Sequence, residues 1–566
     1  MRRLCMVMGI LGMARLVAAE PLPAPAGGEE MADRVPEVEE AIPAVVKALG
    51  EPVPMEFPGG LQMAVSGASD AVQRAVLQGI NHLHGGWNFE ASRHFAVAMR
   101  EDPDCLMAHW GMVMALLVPT PETGAARNAA ALRLADLVER GKGTRLERGY
   151  AYGLIKYLDE GPAAAANAFA KVAVEFPGDL QAPVFAALFG RSGYDAAGDP
   201  TVDQERAEKD LERLVTAHPG SLIPIHALLM IRAEGPRPQA SLHLARKLCE
   251  LAPNYPPFHH LLGHWEWRCG GHRAAAVALG RATGLFESWM RREKVTVADC
   301  PEWVRSECYR VVALFSAGDF DTALAAAEAL AATSLAPERA RSEGVRCALW
   351  EAKTLPARLL MARDGQGDTA LAIASLPTPD AVKPFHGGCL AHWGIDGIRL
   401  VLETRRLLEA GKLEDARKAV AALDYHGSMM AKAQRLSLEG GERSAWIRSF
   451  RAFETLVFET RGKLALAGPA STRGGAYNWF RSAADSQTRA TMLLPPLVLT
   501  PQLARVGLVL LAEGKAGDAR EILDQALTLY PNNLFVLDGL RQALEALGKT
   551  AEAAATAERI SRLRGD

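Results

Sequence analysis

The sequence predicts an all-α fold that is built from stacked pairs of helices. Amphipathic stretches with helical periodicity follow one another from about residue 69 onward, separated by short breaks at Gly or Pro. Only 6% of the residues are aromatic although 49% are hydrophobic, so the apolar content is mainly aliphatic and favours helix over sheet. Small residues, a bulky apolar residue and a proline also recur at fixed spacing. Together these observations predict a repeat array rather than one compact core.

The recurring spacing is clearest near the start of the array. Gly79, Ala91, Phe95, Ala98 and Pro103 are separated by 12, 4, 3 and 5 residues. Glycine and alanine allow two helix backbones to approach closely, and an aromatic ring fills the wedge between them. The proline cannot continue a helix and therefore ends the second one. We interpret these five positions as structural anchors of one helix pair.

Further copies of the pattern follow along the chain. They comprise Gly153, Ala165, Phe169 and Pro177; Gly263, Ala275, Leu279 and Ala282; and Gly507, Ala519, Leu523, Ala526 and Pro531. Weaker copies surround Ala323 and Ala416. In the last two repeats of the chain, which follow about residue 502, equivalent residues lie 34 positions apart, as for Leu503 and Leu537 (537 − 503 = 34). A 34-residue unit of two helices is typical of tetratricopeptide repeats.

The chain also resembles a set of bacterial tetratricopeptide-repeat proteins between about Ala71 and its C-terminus. Three segments carry the resemblance: a D-P-x-C-x-M-A-x-W-G segment, an H-x-x-x-H segment with following R-x-G, and a C-terminal group. Their residues are Asp102, Pro103, Cys105, Met107, Ala108, Trp110 and Gly111; His260, His264, Trp265, Arg268 and Gly270; and Pro495, Pro496, Leu510, Leu511, Gly514, Pro531, Asn533, Gly539 and Leu540. The resemblance implies a right-handed superhelix of helix pairs rather than a particular activity.

The sequence departs from this family at three places, one of which is Ile223-Pro224-Ile225, where the family has an aromatic-rich stretch before His226. Where the family has an H-N-x-H segment, this chain has Arg305, Ser306, Glu307 and Cys308. Where the family has Tyr and Glu before a Pro-Pro pair, this chain has Met492 and Leu494. The substitution of the H-N-x-H segment removes two imidazoles, which weakens any metal-binding interpretation of the family pattern.

Composition and repeat phase predict five segments. They are a signal peptide at 1–19, a Pro/Ala/Gly-rich tether at 20–68, an N-terminal array at 69–286, middle helical repeats with an insert at 287–440, and C-terminal helices with a further array at 441–566. One short helix is expected in the tether near Pro43 to Leu49. Residues 287–301 are predicted to be an insertion, 364–388 an irregular crossover and 462–475 a loop.

The N-terminus predicts export to the periplasm or the outside of the cell. Arg2 and Arg3 precede an uncharged apolar run, and Val17-Ala18-Ala19 is suitable for cleavage. The run is shorter than the ~20 residues that span a bilayer. A frayed cytoplasmic N-terminus is the alternative. Of the 8 cysteines, Cys5 lies in this leader, and no C-x-x-C pair indicates a zinc ribbon or a redox motif.

The charge balance and the motifs limit the classes of partner. Lys and Arg number 63 and Asp and Glu 66, so the net charge of −3 provides no field that would attract nucleic acid or anionic lipid. No later segment is apolar enough to cross a membrane. Neither a phosphate-binding glycine loop nor a nucleophile elbow is present. We therefore expect a protein or peptide partner, no nucleic acid, no cofactor and no bound metal.

One set of side chains is a candidate ligand groove. In tetratricopeptide phase the first helix of each pair lines the concave surface, which places His226, His260, His264 and Trp267 together. His226 and His260 lie 34 residues apart (260 − 226 = 34), and His260 and His264 lie one helical turn apart. The rest of the candidate site is Arg268, Arg305 and Cys308.

Three interpretations of this groove are open. The imidazoles could bind a metal, as in a metal-binding protein or a metal-dependent hydrolase. The set could recognise an acidic or aromatic ligand, or it could be ordinary packing. His386, Cys389 and His392 form a second cluster, which we expect to be a loop that leads into a helix. His82, His84 and His94 are expected to pack within a repeat. The function predicted overall is a non-enzymatic protein-interaction scaffold, and the alternative is a metal-binding protein or metal-dependent hydrolase.

Overall fold

The computed structural model describes residues 34–195, 198–433 and 440–565. Within these ranges the chain is helical and contains no strand, apart from an isolated bridge between Tyr194 and Pro200. The all-α prediction with paired helices is thereby confirmed. The predicted signal peptide at 1–19 lies outside the described residues, as does the first part of the predicted tether.

The chain separates into two compact units. Unit 1 takes the residues up to Trp265 together with Gly284–Asp299, and unit 2 takes Glu266–Thr283 and Cys300–Asp566. The units do not follow the three predicted arrays, because residues that are distant in sequence return to pack together within each unit.

The first thirteen helices supply unit 1 and the start of unit 2. They are α1 (Ala44–Ala48), α2 (Asp70–His84), α3 (Asn88–Glu101), α4 (Leu106–Ala115), α5 (Gly124–Glu139), α6 (Arg145–Glu160), α7 (Pro162–Glu175), α8 (Gln181–Gly190), α9 (Val202–Ala217), α10 (Leu222–Arg232), α11 (Leu242–Leu251), α12 (Pro256–Arg268) and α13 (His272–Glu293). Short 3₁₀ helices occupy Val38–Ala41, Pro238–Ser241 and Val297–Asp299.

The remaining helices belong to unit 2. They are α14 (Pro301–Ser316), α15 (Phe320–Ala331), α16 (Glu343–Cys347), α17 (Leu355–Arg363), α18 (Asp368–Ser375), α19 (Pro379–Val382), α20 (His392–Glu409), α21 (Leu413–Ala433), α22 (Gly440–Ala467), α23 (Ala470–Arg473), α24 (Gly475–Ser486), α25 (Gln502–Ala512), α26 (Ala516–Leu529), α27 (Leu534–Ala546) and α28 (Thr550–Arg564). Two 3₁₀ helices (Pro337–Arg339 and Lys383–Phe385) and a π-helical turn at Ala348–Ala352 complete it.

Close helix approaches lie at the positions that the repeat pattern marks. Phe95 is fully buried between α2 and α4, and a Cβ atom added at Gly79 or Gly111 would lie 2.6 Å or 2.1 Å from its ring. A Cβ atom at Gly153 would lie 2.8 Å from Phe169 in the same way. Only glycine fits at such distances, so the aromatic ring fixes the spacing of the helices.

The other anchors take positions of the same kind. Gly507 faces Leu523, with 2.7 Å from an added Cβ atom to the side chain. Pro103, Pro177 and Pro531 lie in the turns just after α3, α7 and α26. The alanines and the remaining glycine are buried: Ala91, Ala98, Ala165, Gly263, Ala275, Ala519 and Ala526.

Three segments that the sequence predicted to be irregular are largely helical. The predicted insertion at 287–301 begins as a continuation of α13, because Trp289 is buried 4.8 Å from the Trp87 ring. The predicted crossover at 364–388 contains α18 and α19, and the predicted loop at 462–475 contains the end of α22 and α23. A Cβ atom at Gly462 would lie 2.8 Å from Phe480, so this glycine packs against a ring rather than forming a turn.

The tether prediction is wrong for the described part of 20–68. Ala41, Ile42 and Val46 are buried, as are Leu61 and Val65 further along, so this stretch packs onto unit 1. The helix expected near Pro43 to Leu49 is present as α1, with Pro43 at its N-cap. The proline-rich composition suggested a tether because Pro and Gly exclude helix, but an extended chain can also be buried when its backbone finds hydrogen-bond partners.

The C-terminal repeats of unit 2 pack back on the start of α13. Asn532 donates through Nδ2 to the carbonyl of Gly270 at 3.0 Å, and Arg273 donates through Nε to the carbonyl of Leu563 at 3.3 Å. A buried ion network joins α20, α22 and α25 in the same unit, where Glu459 forms ion pairs with Arg405 and Arg505 at 3.0 Å each. Unit 2 is therefore held by contacts between its distant parts as well as by neighbouring repeats.

Gly111→Ala should destabilise unit 1 by about 1–3 kcal/mol, because its new methyl group overlaps the buried Phe95 ring. Gly124→Ala is the matched control, since an added Cβ atom at this helical glycine meets nothing within 4 Å. Thermal unfolding followed by circular dichroism measures both. Equal melting temperatures for the two variants would show that Phe95 does not set the helix spacing.

Candidate functional site

The three predicted groove histidines of unit 1 are buried. His226, His260 and His264 are 8%, 9% and 0% exposed. His264 Nε2 lies 3.1 Å from the carbonyl of Ala233, and the His226 ring lies 5.6 Å from Phe258. The prediction of an exposed groove is wrong for these residues, because neighbouring parts of unit 1 cover the first-helix face.

The turn between α2 and α3 provides part of that cover. A Cβ atom at Gly86 would lie 3.3 Å from the His226 ring. Burial, together with the charge of nearby His84, lowers the pKa of His226 to about 4. His226 is therefore a neutral packed ring at physiological pH.

The other predicted groove residues belong to unit 2. Trp267 donates through Nε1 to Ser316 Oγ at 3.1 Å, and Arg305 forms an ion pair with Glu343. Cys308 is fully buried, and that burial raises the pKa of its thiol well above the usual range. Arg268 is half-buried near the end of α12. A thiol in this setting is protonated, which is the wrong state for a nucleophile or a metal ligand.

The second predicted cluster leads into a helix, as expected. The rings of His386 and His392 stack with centroids 4.0 Å apart, and His392 is the first residue of α20. Cys389 is buried, and burial raises the pKa of its thiol.

A non-helical stretch of the chain, which we call segment 55–66, lies along helix α2 of unit 1. It is extended on either side of a β-turn at Phe57–Gly60, in which the Gly60 N–H donates to the Phe57 carbonyl at 2.9 Å. Three amide side chains of α2 hold its backbone. Gln78 accepts the Met55 N–H at 3.0 Å and donates to the Met55 carbonyl at 2.7 Å. Asn81 accepts the Leu61 N–H at 2.7 Å and lies 3.4 Å from the Leu61 carbonyl. Both side chains contact only main-chain atoms of the segment.

Gln73 completes this set, which we call the amide ladder (Gln73, Gln78 and Asn81). It accepts the Val65 N–H at 2.8 Å and donates to the Met63 carbonyl at 2.6 Å. Ser69 is the N-cap residue of helix α2, and its hydroxyl accepts the Val72 N–H in the first turn. The ladder therefore stands on a regular helix, which keeps its three amides at fixed spacing.

The side chains of segment 55–66 alternate as in a strand. Leu61 and Val65 are buried, whereas Glu56, Gln62 and Ala64 are exposed. The Phe57 ring lies edge-on to His82 at 4.9 Å and to Tyr255 at 5.4 Å. Apolar side chains thus fill sockets on unit 1 while the backbone is bonded to the amide ladder.

The segment also reaches the N-terminal ends of three further helices. Ser66 donates through its N–H and its hydroxyl to buried Glu147 of α6, at 2.9 Å and 2.5 Å. The Gly59 carbonyl accepts the N–H of Leu222 in α10 at 3.2 Å. Met63 Sδ lies 3.3 Å from Gln181 Nε2 in α8. Segment 55–66 therefore contacts four helices of unit 1, namely α2, α6, α8 and α10.

Sequence reasoning missed this surface although a signal was present. Met55, Phe57, Leu61, Met63 and Val65 occupy odd-numbered positions, which is the period of an extended chain. The prolines and glycines between them led to the interpretation as a tether.

Sequence reasoning also missed one repeat. Ala476, Phe480 and Ala483 have the 4 and 3 spacing of the anchors and are buried.

The side chains that could bind a metal together lie outside the predicted groove. Within the described residues, the side chains close enough to share an ion are His82, Glu90 and His94 of the first helix pair. His84, expected to pack, bonds Gln181 at 3.0 Å and stacks on Phe185.

Comparisons with known proteins give structural likeness alone. No family model matches the sequence, and a search of curated proteins finds no match. The tetratricopeptide domain of P58(IPK) is 13% identical, with 85% of this chain and 99% of that one covered and a TM-score of 0.19. A human IFIT1 dimer with m7Gppp-AAAA is 12% identical. The match covers 90% of this chain and 92% of that one, with a TM-score of 0.30. A chain of the APC/C hetero-tetramer Cut9–Hcn1 is 13% identical. The match covers 84% of this chain and 90% of that one, with a TM-score of 0.23.

At these TM-scores the likeness carries no argument about function, and the fold assignment rests on the helix pairs themselves. The expectation that nucleic acid is not a partner stays a prediction. Among the described helices, none has the length and apolar character needed to cross a membrane.

Acidification should weaken unit 1 between about pH 6.5 and pH 4. Burial lowers the pKa of His84, His109 and His226 to about 4, below the unfolded value of ~6.5. In this window the unfolded chain binds more protons, so the stability that is full above pH 6.5 is lost as the pH falls. Each histidine contributes at most ~1.4 kcal/mol per pH unit.

His226→Gln should therefore reduce the slope of unfolding free energy against pH, as measured by urea denaturation at several pH values. His243→Gln, at an exposed position of α11, is the matched control. An unchanged slope for His226→Gln would show that this ring is not buried in the neutral form.

Proposed function

We propose that the chain is a non-enzymatic protein-interaction scaffold, and that its partner presents an extended stretch of polypeptide to unit 1. The observation that supports this proposal is the amide ladder. Its six polar contacts go to main-chain atoms of segment 55–66, which every polypeptide offers. Recognition through the backbone provides affinity, and sockets for alternate side chains provide specificity.

The sockets define the chemistry of the partner segment. Positions equivalent to Phe57, Leu61 and Val65 should carry an aromatic or aliphatic side chain, because these side chains contact unit 1. Positions between them can be polar, since Glu56 and Gln62 are exposed. A partner segment of about ten residues with apolar residues at alternate positions meets these requirements.

Segment 55–66 would compete with such a partner. A tethered occupant has an effective concentration in the millimolar range, so it lowers the apparent affinity for any segment that binds from outside. Weakening the hold on the chain's own segment should therefore strengthen binding in trans.

Gly59 offers a way to release the segment selectively. It has a φ of +71°, and an added Cβ atom would lie 1.8 Å from the carbonyl oxygen of Gly220. Gly67 has a φ of +69° and open space around it. Gly59→Ala thus adds both strain and a backbone clash, whereas Gly67→Ala adds only comparable strain.

A fluorescein-labelled peptide with the sequence of residues 52–66 is the probe, and its anisotropy is measured with each full-length variant. Gly59→Ala should bind this peptide on the order of tenfold more tightly than the wild type or Gly67→Ala, because its own segment is displaced more often. Adding Gln78→Ala and Asn81→Ala to Gly59→Ala should abolish the gain. Adding Gln239→Ala, at an exposed position far along the chain, should not. Equal weak binding by all variants would contradict the proposal.

We also propose that the protein is exported to the periplasm or beyond. The basic start, the short apolar run and the small residues at Val17-Ala18-Ala19 support this localisation. Mass spectrometry of protein from the envelope fraction should find Glu20 as the first residue. Protein that keeps Met1 and remains in the cytoplasm would contradict it.

A further inference from the structure

A set of buried polar side chains lies inside the first helix pair of unit 1. His82 comes from α2, and Glu90 and His94 come from α3. They are 0%, 0% and 3% exposed, and one potential ligand atom of each lies within 4.8 Å of the others. The two imidazole rings are nearly parallel, with centroids 5.2 Å apart. Such a group is unusual at the interface of a repeat, where apolar side chains normally pack.

Each of the three side chains has one buried polar atom without a hydrogen-bond partner. These are Nε2 of His82, Nε2 of His94 and Oε1 of Glu90, all shielded from solvent. Native proteins rarely leave buried polar atoms without a partner, and three in one place need an explanation. A cation between them would satisfy all three at once.

The opposite sides of these groups are fixed by other residues. His82 Nδ1 lies 3.3 Å from the Tyr255 hydroxyl, which in turn donates to the His82 carbonyl at 3.5 Å. With the tyrosine proton directed to that carbonyl, Nδ1 carries the histidine proton and Nε2 presents its lone pair. This is the outer contact that orients histidine ligands in metal sites.

The carboxylate has a comparable outer contact. Glu90 Oε2 accepts Arg93 Nη1 at 2.8 Å, and Arg93 Nη2 donates to Glu293 Oε2 at 2.9 Å. The indole of Trp289 also lies near Glu90. Glu90 Oε1 is buried and has no hydrogen-bond partner.

The charged groups around this site are paired with one another. Arg93 forms ion pairs with Glu90 and Glu293, and Glu293 also pairs with Arg292, so two carboxylates face two guanidinium groups. A neutral imidazole can donate a lone pair to a metal ion through one of its ring nitrogens.

We propose that His82, Glu90 and His94 bind a divalent transition metal of the Zn²⁺ class. Two imidazoles and one carboxylate are ligands that Zn²⁺ accepts, with a fourth position for water. Zn–N bonds of ~2.0–2.1 Å require ligand atoms to be closer than 4.8 Å, so binding draws the side chains together. The bound ion would tie α2 to α3 and, through Arg93 and Glu293, to the end of α13. The proposal does not rest on the proposed partner, although His82 also contacts Phe57 of segment 55–66.

The test uses the full chain after removal of metals with a chelator. Titration with Co²⁺ should give one equivalent of binding and visible absorption typical of nitrogen and oxygen ligands, and Zn²⁺ should displace the Co²⁺. Zn²⁺ should also raise the melting temperature. His94→Gln should weaken Co²⁺ binding by at least about 100-fold, since it removes a ligand. His109→Gln is the matched control, because His109 is equally buried but bonds the Pro103 carbonyl instead.

Glu90→Gln provides a second variant with nearly unchanged shape, and it decides the question if His94→Gln does not fold. It should weaken binding by at least about tenfold while Tyr255→Phe has a smaller effect. The proposal is overturned if the wild-type chain fails to bind Co²⁺, or if the folded ligand variants bind it as tightly as the wild type. Intense charge-transfer bands from thiolate would also overturn it, because they would place the ion at a cysteine.

Discussion

The close approach of paired helices is the constraint on which both units depend. An aromatic or aliphatic plug such as Phe95 can be buried between helices only where the facing positions lack a side chain, as at Gly79 and Gly111. Each helix pair then presents a further apolar face that it cannot bury alone, so the next pair must stack on it. The same requirement explains why distant parts of the chain return within each unit, as Asn532 does to Gly270.

Within the described residues, no helix pair that precedes α2 in the chain covers it. Segment 55–66 takes that place, and it does so with an extended backbone rather than a helix. The backbone groups of an extended chain need partners when they are removed from water, and the amide ladder supplies them. A surface that satisfies main-chain groups through side-chain amides is suited to accept another extended polypeptide, which is why the proposed function is placed there rather than at the buried histidines.

The sequence was sufficient to predict the fold class and the helix pairing, because Gly79, Phe95 and their equivalents have a spacing that only this packing explains. It could not predict which first-helix positions are exposed. His226 and His264 have the phase of groove residues, but their burial depends on contacts such as Gly86 against His226, which are set by parts of the chain distant in sequence.

The binding surface and the buried histidine cluster were missed for different reasons. Segment 55–66 has the alternation of an extended chain, yet its proline and glycine content is equally typical of a linker, and only the ladder contacts distinguish the two. His82, Glu90 and His94 are separated by 8 and 4 residues (90 − 82 = 8, 94 − 90 = 4). That spacing crosses the turn between two helices, so the approach of the three side chains follows from tertiary packing.

Hydrogen–deuterium exchange of the full-length protein, read by mass spectrometry over residues 52–66, tests the central claim most directly. If the amide ladder holds this segment, its exchange should be slower than that of an unstructured peptide of the same sequence. The Asn81→Ala and Gln78→Ala double variant should lose that protection while helix α6 keeps its own. Exchange of residues 52–66 at the rate of the free peptide in the wild-type protein would contradict the account, because the segment would then not occupy the surface of unit 1.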